Sequence, residues 1–233
     1  MTSPLLAGAV LLTLSGCTMN VAPSGPEQHE SRSIDLDKSE HVRVELKMSA
    51  GELDVRGGAQ KLMEADFTYN VPAWKPDVRY RSTGSAGDLT IEQHGSSTII
   101  RNSKNRWDLR FHDGTPLDMR VEFGAGEARL NLGSVTLRGL GLQMGAGTLS
   151  LDLRGTPKKD YSVRIRGGVG EATVHLPKQA GIMATASGGL GDISVTGLSK
   201  KGDRYINDAY DRAPVHIRLD IQGGIGSIRL IAE

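Results

Sequence analysis

Val163-Arg164-Ile165-Arg166-Gly167-Gly168-Val169-Gly170-Glu171-Ala172-Thr173-Val174-His175-Leu176 is the stretch that decides the fold. Apolar and charged residues alternate over its first four positions, glycines interrupt, and the alternation resumes until Pro177. Alternation with period two sends successive side chains to opposite faces, so each half reads as a half-buried strand. The glycine step between them reads as a corner. A sharp change of direction needs positive φ or close backbone approach, and a Cβ penalises both. The same grammar governs Leu140 to Leu153 and Ile217 to Leu230. Within it, Leu151 and Val174 are expected to point inward, and Ser150 and Thr173 outward.

Seven such steps occur: Ser49-Ala50-Gly51, Ser85-Ala86-Gly87, Gly124-Ala125-Gly126, Gly145-Ala146-Gly147, Gly168-Val169-Gly170, Gly189-Leu190-Gly191 and Gly224-Ile225-Gly226. The last glycines at 126, 147, 170 and 191 stand 21, 23 and 21 residues apart. A unit recurring at this spacing predicts a stack of similar coils, since one coil alone cannot bury its apolar face. The expected fold is all-β: a β-solenoid of about seven two-strand coils. Each strand would pair with its equivalent one coil away, giving parallel sheets. Three insertions, Leu62 to Arg81, Ser97 to Met119 and Ser199 to Pro214, break the period and are expected as loops that close the ends or carry recognition.

The first seventeen residues read as an address. Leu5 to Leu14 is a ten-residue apolar run, too short for a membrane helix and of the length of a signal-peptide core. It ends in Leu14-Ser15-Gly16-Cys17, which resembles the lipobox of bacterial lipoproteins with Cys17 as the acylated residue, although Met1 to Leu6 hold no Lys or Arg. Cys17 is the only cysteine, so lipidation would leave no thiol for a disulfide or a cysteine metal site. Residues 1–17 are read as the leader, 18–33 as a polar tether with two prolines, and 34–233 as the folded domain. The expected location is outside the cell, lipid-anchored to the bacterial membrane. Thr18 is not an Asp retention residue, which points to the outer membrane if the cell has two.

The repeats carry a resemblance. Phe123-Gly124-Ala125-Gly126-Glu127-Ala128, Met144-Gly145-Ala146-Gly147 and Gly167-Gly168-Val169-Gly170-Glu171-Ala172 are similar to the bacterial toast-rack family, related to the domain of LiaF-like, cell-wall-active-antibiotic response proteins. Asn105-Arg106-Trp107-Asp108-Leu109 and Tyr205-Ile206-Asn207-Asp208-Ala209-Tyr210 share in the likeness, which runs from about Val42 to Ile231. It implies slices stacked like toast in a membrane-tethered or secreted protein, with envelope-stress sensing or an adhesin-like role, and it carries over no enzymatic residues.

Several chemistries find no support. The glycine steps are followed by period-two strands, whereas a dinucleotide site needs a helix N-terminus there. Gly188-Gly189-Leu190-Gly191-Asp192-Ile193 begins like a calcium β-roll, but its sister copies place Glu171 or Ser227 at the Asp position and lack the nine-residue period. No serine sits in a Gly-x-Ser-x-Gly elbow. The six histidines show no pair at metal-ligand spacing. A net charge of +1 and ten aromatics in 233 residues argue against nucleic acid. Neither cofactor nor metal is expected. The expected function is therefore non-catalytic, a module for binding, scaffolding or envelope-stress sensing. Its partners would be the lipid membrane, through acylated Cys17, and an envelope protein or glycan. The alternatives are an enzyme acting on envelope polysaccharide and a self-assembling adhesin-like element. The last insertion is the candidate recognition loop, through Arg204, Tyr205, Asn207, Asp208, Tyr210 and Arg212, because tyrosine and arginine dominate interface hot spots.

Overall fold

The computed structural model describes residues 24–94 and 102–233. Cys17, its leader and the first part of the tether lie outside these residues. Within them the chain forms β1 (Gln28–Ile34), β2 (His41–Arg56), β3 (Met63–Tyr69), β4 (Pro76–Thr83), β5 (Ala86–Gln93), β6 (Asn105–Phe111) and β7 (Leu117–Asn131). There follow β8 (Leu137–Asp152), β9 (Tyr161–Leu176), β10 (Gly181–Leu190), β11 (Ile193–Thr196), β12 (Ser199–Lys201), β13 (Arg204–Ile206) and β14 (His216–Ala232). One 3-10 turn, Pro72–Trp74, interrupts the strands. The fourteen strands make one open sheet.

Five strands, β2, β7, β8, β9 and β14, run 15 to 17 residues and bend in the middle. The bend falls on Gly51, Gly126, Gly147, Gly170 and Gly226, and Gly191 makes the same step between β10 and β11, all with φ between 125° and 142°. A Cβ on any of the last five would fall far inside the 3.0 Å minimum for a real contact, against the carbonyl oxygen of the corner beneath. The corners thus stack as a ridge that only glycine can build. Each strand offers a first arm before the ridge and a second arm after it. The apolar parity shifts at the ridge, from Val42, Val44 and Leu46 to Leu53 and Val55, so both inner faces feed one core. Leu151 and Val174 are fully buried there, Ser150 is exposed and Thr173 half-buried.

The stacking order differs from the chain order. First arms pair as β4–β5–β2–β7–β8–β9–β14–β10–β13–β12, and second arms as β1–β3–β6–β2–β7–β8–β9–β14–β11. The C-terminal strand β14 is therefore inserted between β9 and β10, parallel to both. Gly226 meets Gly170 on one side and Gly191 on the other. The expectation that each coil pairs with its neighbour in sequence fails here, because the long last insertion carries the chain out over β10 and back inside it.

Three further expectations are corrected. Ser85-Ala86-Gly87 is no corner: Gly87 is the second residue of β5, opposite Val42, and its missing side chain leaves room for Tyr80, whose hydroxyl would lie 2.6 Å from a Cβ. The insertions are not loops alone, for they contribute β3, most of β4, β6, β12 and β13. Apart from β6, which runs parallel to β2, they pair antiparallel with one another or with the stack, so the sheet is not parallel throughout. The tether is shorter than expected, since 28–33 lie in β1. Among the described residues that strand pairs with β3 alone, and it shows mostly exposed polar side chains, so it carried no alternation to read.

Around β3 and β6 the core changes character. Trp107 and Phe67 are buried and meet edge to face, with ring centroids 5.5 Å apart. The ends of β5 and β6 meet the corner of β2. There the Gln93 side-chain oxygen accepts the Ser49 backbone N–H at 3.0 Å, and the Asn105 amide donates to Ala50 O at 2.8 Å. Two buried amides thus satisfy the backbone of β2 just before its corner glycine.

Candidate functional site

Outward positions on the first arms line up across strands because the registers are in phase at the ridge. One row reads Glu45, Arg120, Gly141, Arg164, Asp220, Thr185, and the next reads Lys47, Glu122, Gln143, Arg166, Gln222, Ser187. A third row reads Arg43, Asp118, Gly139, Ser162, Arg218, Met183. At β8 two of these outward positions are glycine. Gly139 and Gly141 leave backbone as a floor between the side chains of β7 and β9, which stand two strand spacings apart, roughly 10 Å. A Cβ added at Gly141 would meet nothing closer than 4.0 Å. The result is an open trough of about 940 Å³ across the first arms.

Arginine dominates its walls. Arg43, Arg120, Arg164, Arg166, Arg204 and Arg218 line the trough against Asp118 and Asp220, an excess of four positive charges. The whole chain nets +1, so the residues outside the trough are negative in sum. Several of these arginines hold exposed partners: Arg120 with Glu122 at 3.0 Å, Arg164 with Asp220 at 3.7 Å, Arg218 with Asp160 at 3.8 Å, and Arg43 with Asp88 at 3.0 Å. Such pairs contribute no more than about 1 kcal/mol. They exchange readily for a bidentate contact with a phosphate or carboxylate. Among the described residues Arg166 has no ion-pair partner.

Other chemistry is less well served. Asp118 and Asp220 stand three strands apart, about 14 Å across the sheet, beyond the separation of a glycosidase pair, roughly 5–10 Å. Asp118 is moreover held by Arg138 at 3.5 Å, the extra residue of a bulge where β7 meets β8. Among the described residues no three His, Cys, Asp or Glu side chains group closely enough to hold a metal. No described helix is long and apolar enough to cross a membrane.

The structure separates the six residues of the expected recognition loop. Arg204 opens β13 and joins the trough. Asn207 is buried, its Oδ1 accepting the Ile182 N–H at 2.9 Å and its Nδ2 donating to Ala180 O at 2.8 Å, so it ties the loop to β10. Tyr205 packs against the core, with Lys200 above its ring at 5.9 Å. Tyr210 stands edge-on to His216 at 5.0 Å, and its hydroxyl donates to Met183 Sδ at 3.8 Å. Asp208 and Arg212 are exposed. Arg120, Arg164, Arg166 and Arg218 escaped the sequence reading. Their signal was there: Arg120, Gly141, Arg164 and Asp220 each stand six residues before their corner glycine. Aligning the coils on that glycine brings the row together.

Compared with known proteins, residues 23–175 match the model of the N-terminal domain of toast_rack, DUF2154. A solved structure of a candidate cell adhesion protein from Clostridium sporogenes is similar over 89% of this chain and 100% of its own, at 30% identity and a TM-score of 0.87. Weaker likenesses extend to a candidate adhesin from Bacteroides fragilis (10% identity, 89% and 98% coverage, TM-score 0.34) and a candidate lipid binding protein from Parabacteroides distasonis (12%, 91% and 99%, 0.30). No curated protein matches the sequence.

Proposed function

We propose that this chain, which belongs to the toast-rack family, is a lipid-tethered, non-catalytic adhesion module that grips an acidic envelope polysaccharide along its arginine-lined trough. The trough is the observation that carries the reading: a glycine floor open to an extended chain, walled by guanidinium groups whose present partners are weakly held. The name of the Clostridium sporogenes neighbour, a candidate cell adhesion protein, supports it. Arg204 on β13, with exposed Asp208 and Arg212 beyond it, forms one end of the binding surface, while Tyr205, Asn207 and Tyr210 hold that end in place. Acylated Cys17 supplies the membrane attachment, and the residues before β1 supply reach.

The test uses a polyuronate as probe. The wild-type chain should be retained on immobilised polyuronate at low salt and released as salt rises, since each arginine–carboxylate contact is screened. Gly141→Gln fills the floor and should weaken retention without loss of melting temperature. Arg164→Gln with Arg166→Gln should weaken it further. Wild-type protein that passes through at low salt, or retention indifferent to both variants, removes the proposal. For the anchor, Cys17→Ala should move the protein out of the membrane fraction. Absence of lipid mass on Cys17 in protein made in a bacterium would refute that part alone.

A further inference from the structure

The sheet has four outer edges, and three of them are guarded. β4 carries Pro76, Asp77, Arg79 and Arg81; β1 carries His29, Glu30 and Arg32; β12 carries Lys200 and Lys201. Charged side chains and proline on an edge prevent another strand from adding to it. The fourth edge is β11, Ile193-Ser194-Val195-Thr196, which holds no charge and no proline. The hairpin of β12 and β13 covers β10 only at Met183 and Ala184, so it shields the first arm and stops short of the second. Among the described residues β11 pairs with β14 alone. The Asp192 carbonyl accepts from the Ile228 N–H. That register turns Ser194 toward β14 and leaves the N–H and C=O groups of Ile193 and Val195 facing outward, unpaired.

A second observation lies beside this edge. Between its two rows of glycines the ridge carries one outward residue per strand, and these grow in size toward β11: Ala125, Ala146, Val169, Ile225, Leu190. Val169, Ile225 and Leu190 are consecutive across the sheet and exposed at 53%, 53% and 70%, with Leu190 separated from the free strand only by Gly191 and Asp192. Toward the edge, then, the surface turns apolar while its backbone stays unsatisfied.

We infer that this edge pairs with the same edge of a second copy, β11 against β11 in antiparallel sense, to form a closed two-fold dimer. Charge decides the occupant. Asp192 is the one charged residue from Thr185 to Leu198, so two identical edges meet without repulsion between rows of like charge, and a charged partner strand would find no complement. The guarded β1, β4 and β12 edges oppose head-to-tail addition, which would give fibres in place of dimers. The strand bonds and the burial of Leu190 and its ridge neighbours supply the association. The trough on the outer face of the first arms is left free, so the dimer would present two troughs and gain avidity for a long polymer.

The experiment is sedimentation equilibrium on the full-length chain carrying Cys17→Ser, which removes the acylation site and the thiol. The expected result is a concentration-dependent monomer–dimer equilibrium. Leu190→Lys with Ser194→Lys puts two cations on exposed positions of the free edge and should weaken dimerisation at least about tenfold by like-charge juxtaposition, at unchanged melting temperature. Ser31→Lys on guarded β1 should change nothing. A single thiol introduced as Ser194→Cys, in the same Cys17→Ser background, should oxidise to a covalent dimer faster than one introduced as Ser31→Cys. A wild-type chain that stays monomeric at the highest soluble concentration overturns the inference. So does a dimer that persists in the double-lysine variant, or a ladder of growing oligomers. Polyuronate retention by a monomer would leave the trough standing and sink only the edge.

Discussion

Replacing Gly147 by alanine is the sharpest trial of the ridge. At this residue φ is +126°, a region that side-chain-bearing residues enter at a cost of about 1–3 kcal/mol. The added methyl would also fall well within 3.0 Å of Gly126 O, where no real Cβ sits. To admit it, β7 and β8 must part by at least about 1 Å in a close-packed region. The ladder bonds flanking the corner would stretch, each contributing about 0.5–1.5 kcal/mol. Together these give a loss of about 3–6 kcal/mol, a large share of the 5–15 kcal/mol that typically separates folded from unfolded chains. Gly167→Ala is the matched control. It lies beside the same ridge in β9, has no positive φ, and its Cβ would meet nothing within 4 Å. Equilibrium urea unfolding should show Gly147→Ala with a much lower midpoint and Gly167→Ala within about 0.5 kcal/mol of wild type. If the unfolding free energies of the two variants lie within about 1 kcal/mol of each other on the same slope, about the average effect of any substitution, the stacked corner does not support this sheet.

Leu151 sits in register with Leu130 and Val174 and is fully buried, whereas Ser150 faces solvent. Leu151→Asp would bury an unpaired carboxylate and should abolish the cooperative melt, while Ser150→Asp should leave it within a few degrees of wild type. Tyr205→Ala with Tyr210→Ala strips the packing beneath the β12–β13 hairpin and should lower stability by about 2–4 kcal/mol; an unchanged melting temperature would show that both rings are dispensable to the fold. The Asp37 carboxylate accepts the Ser39 N–H and the Tyr80 hydroxyl, each at 2.8 Å. The Ser39 backbone bond is the larger cause that holds Asp37 at about 2, below the ordinary 3.8. A depressed acid contributes stability above its unfolded value and loses it as pH falls toward its folded one. Asp37 should therefore add a small decline in melting temperature between about pH 4 and pH 2 that Asp37→Asn lacks. An identical acid profile in the variant would remove Asp37 from the account.

Corners and parity were legible because they follow from backbone sterics that act locally. Gly126, Gly147, Gly170, Gly191 and Gly226 announce themselves by sitting between two alternating runs, and alternation alone places Leu151 inside. Order within the stack was not legible for the same reason. Every corner offers the next the same carbonyl and the same missing Cβ, so nothing local says that Gly226 belongs between Gly170 and Gly191. A trace of it exists in the spacing: 35 residues separate Gly191 from Gly226, where a coil takes about 21. The surplus lets the chain leave β11, form the β12–β13 hairpin on the far side of β10 and re-enter beneath it. Gly87 misled because a glycine needed for Tyr80 looks the same in sequence as one needed for a turn. Of the expected loop, Asn207 was named for recognition, yet its amide is spent on Ile182 and Ala180. A short polar side chain that can satisfy buried backbone is indistinguishable from one that reaches for a partner. The trough is a property of neither strand alone. It arises when Arg120 and Arg164 flank Gly141, and that needs three tiers in register.

The inserted strand links the trough to the free edge. β14 gives Arg218 and Asp220 to the first-arm face, and through its second arm it is the sole described partner of β11. It also holds the chain end. The Glu233 carboxylate meets Arg154 at 2.7 Å and His175 at 3.0 Å, while its backbone N–H donates to Leu176 O at 3.1 Å. A strand placed last in sequence but inside the stack couples β9 to β10, so the outermost tier is held by the same strand that carries Arg218. A stack built in chain order could fray from its final coil without disturbing the coils beneath. Here the terminal tier is made before the strand that secures it, and the sheet is complete only when β14 enters. Such a tier can leave its second-arm edge bare, because its attachment to the stack depends on β14 and not on a cap. The same insertion that hid the strand order from the sequence thus keeps β11 both ordered and open.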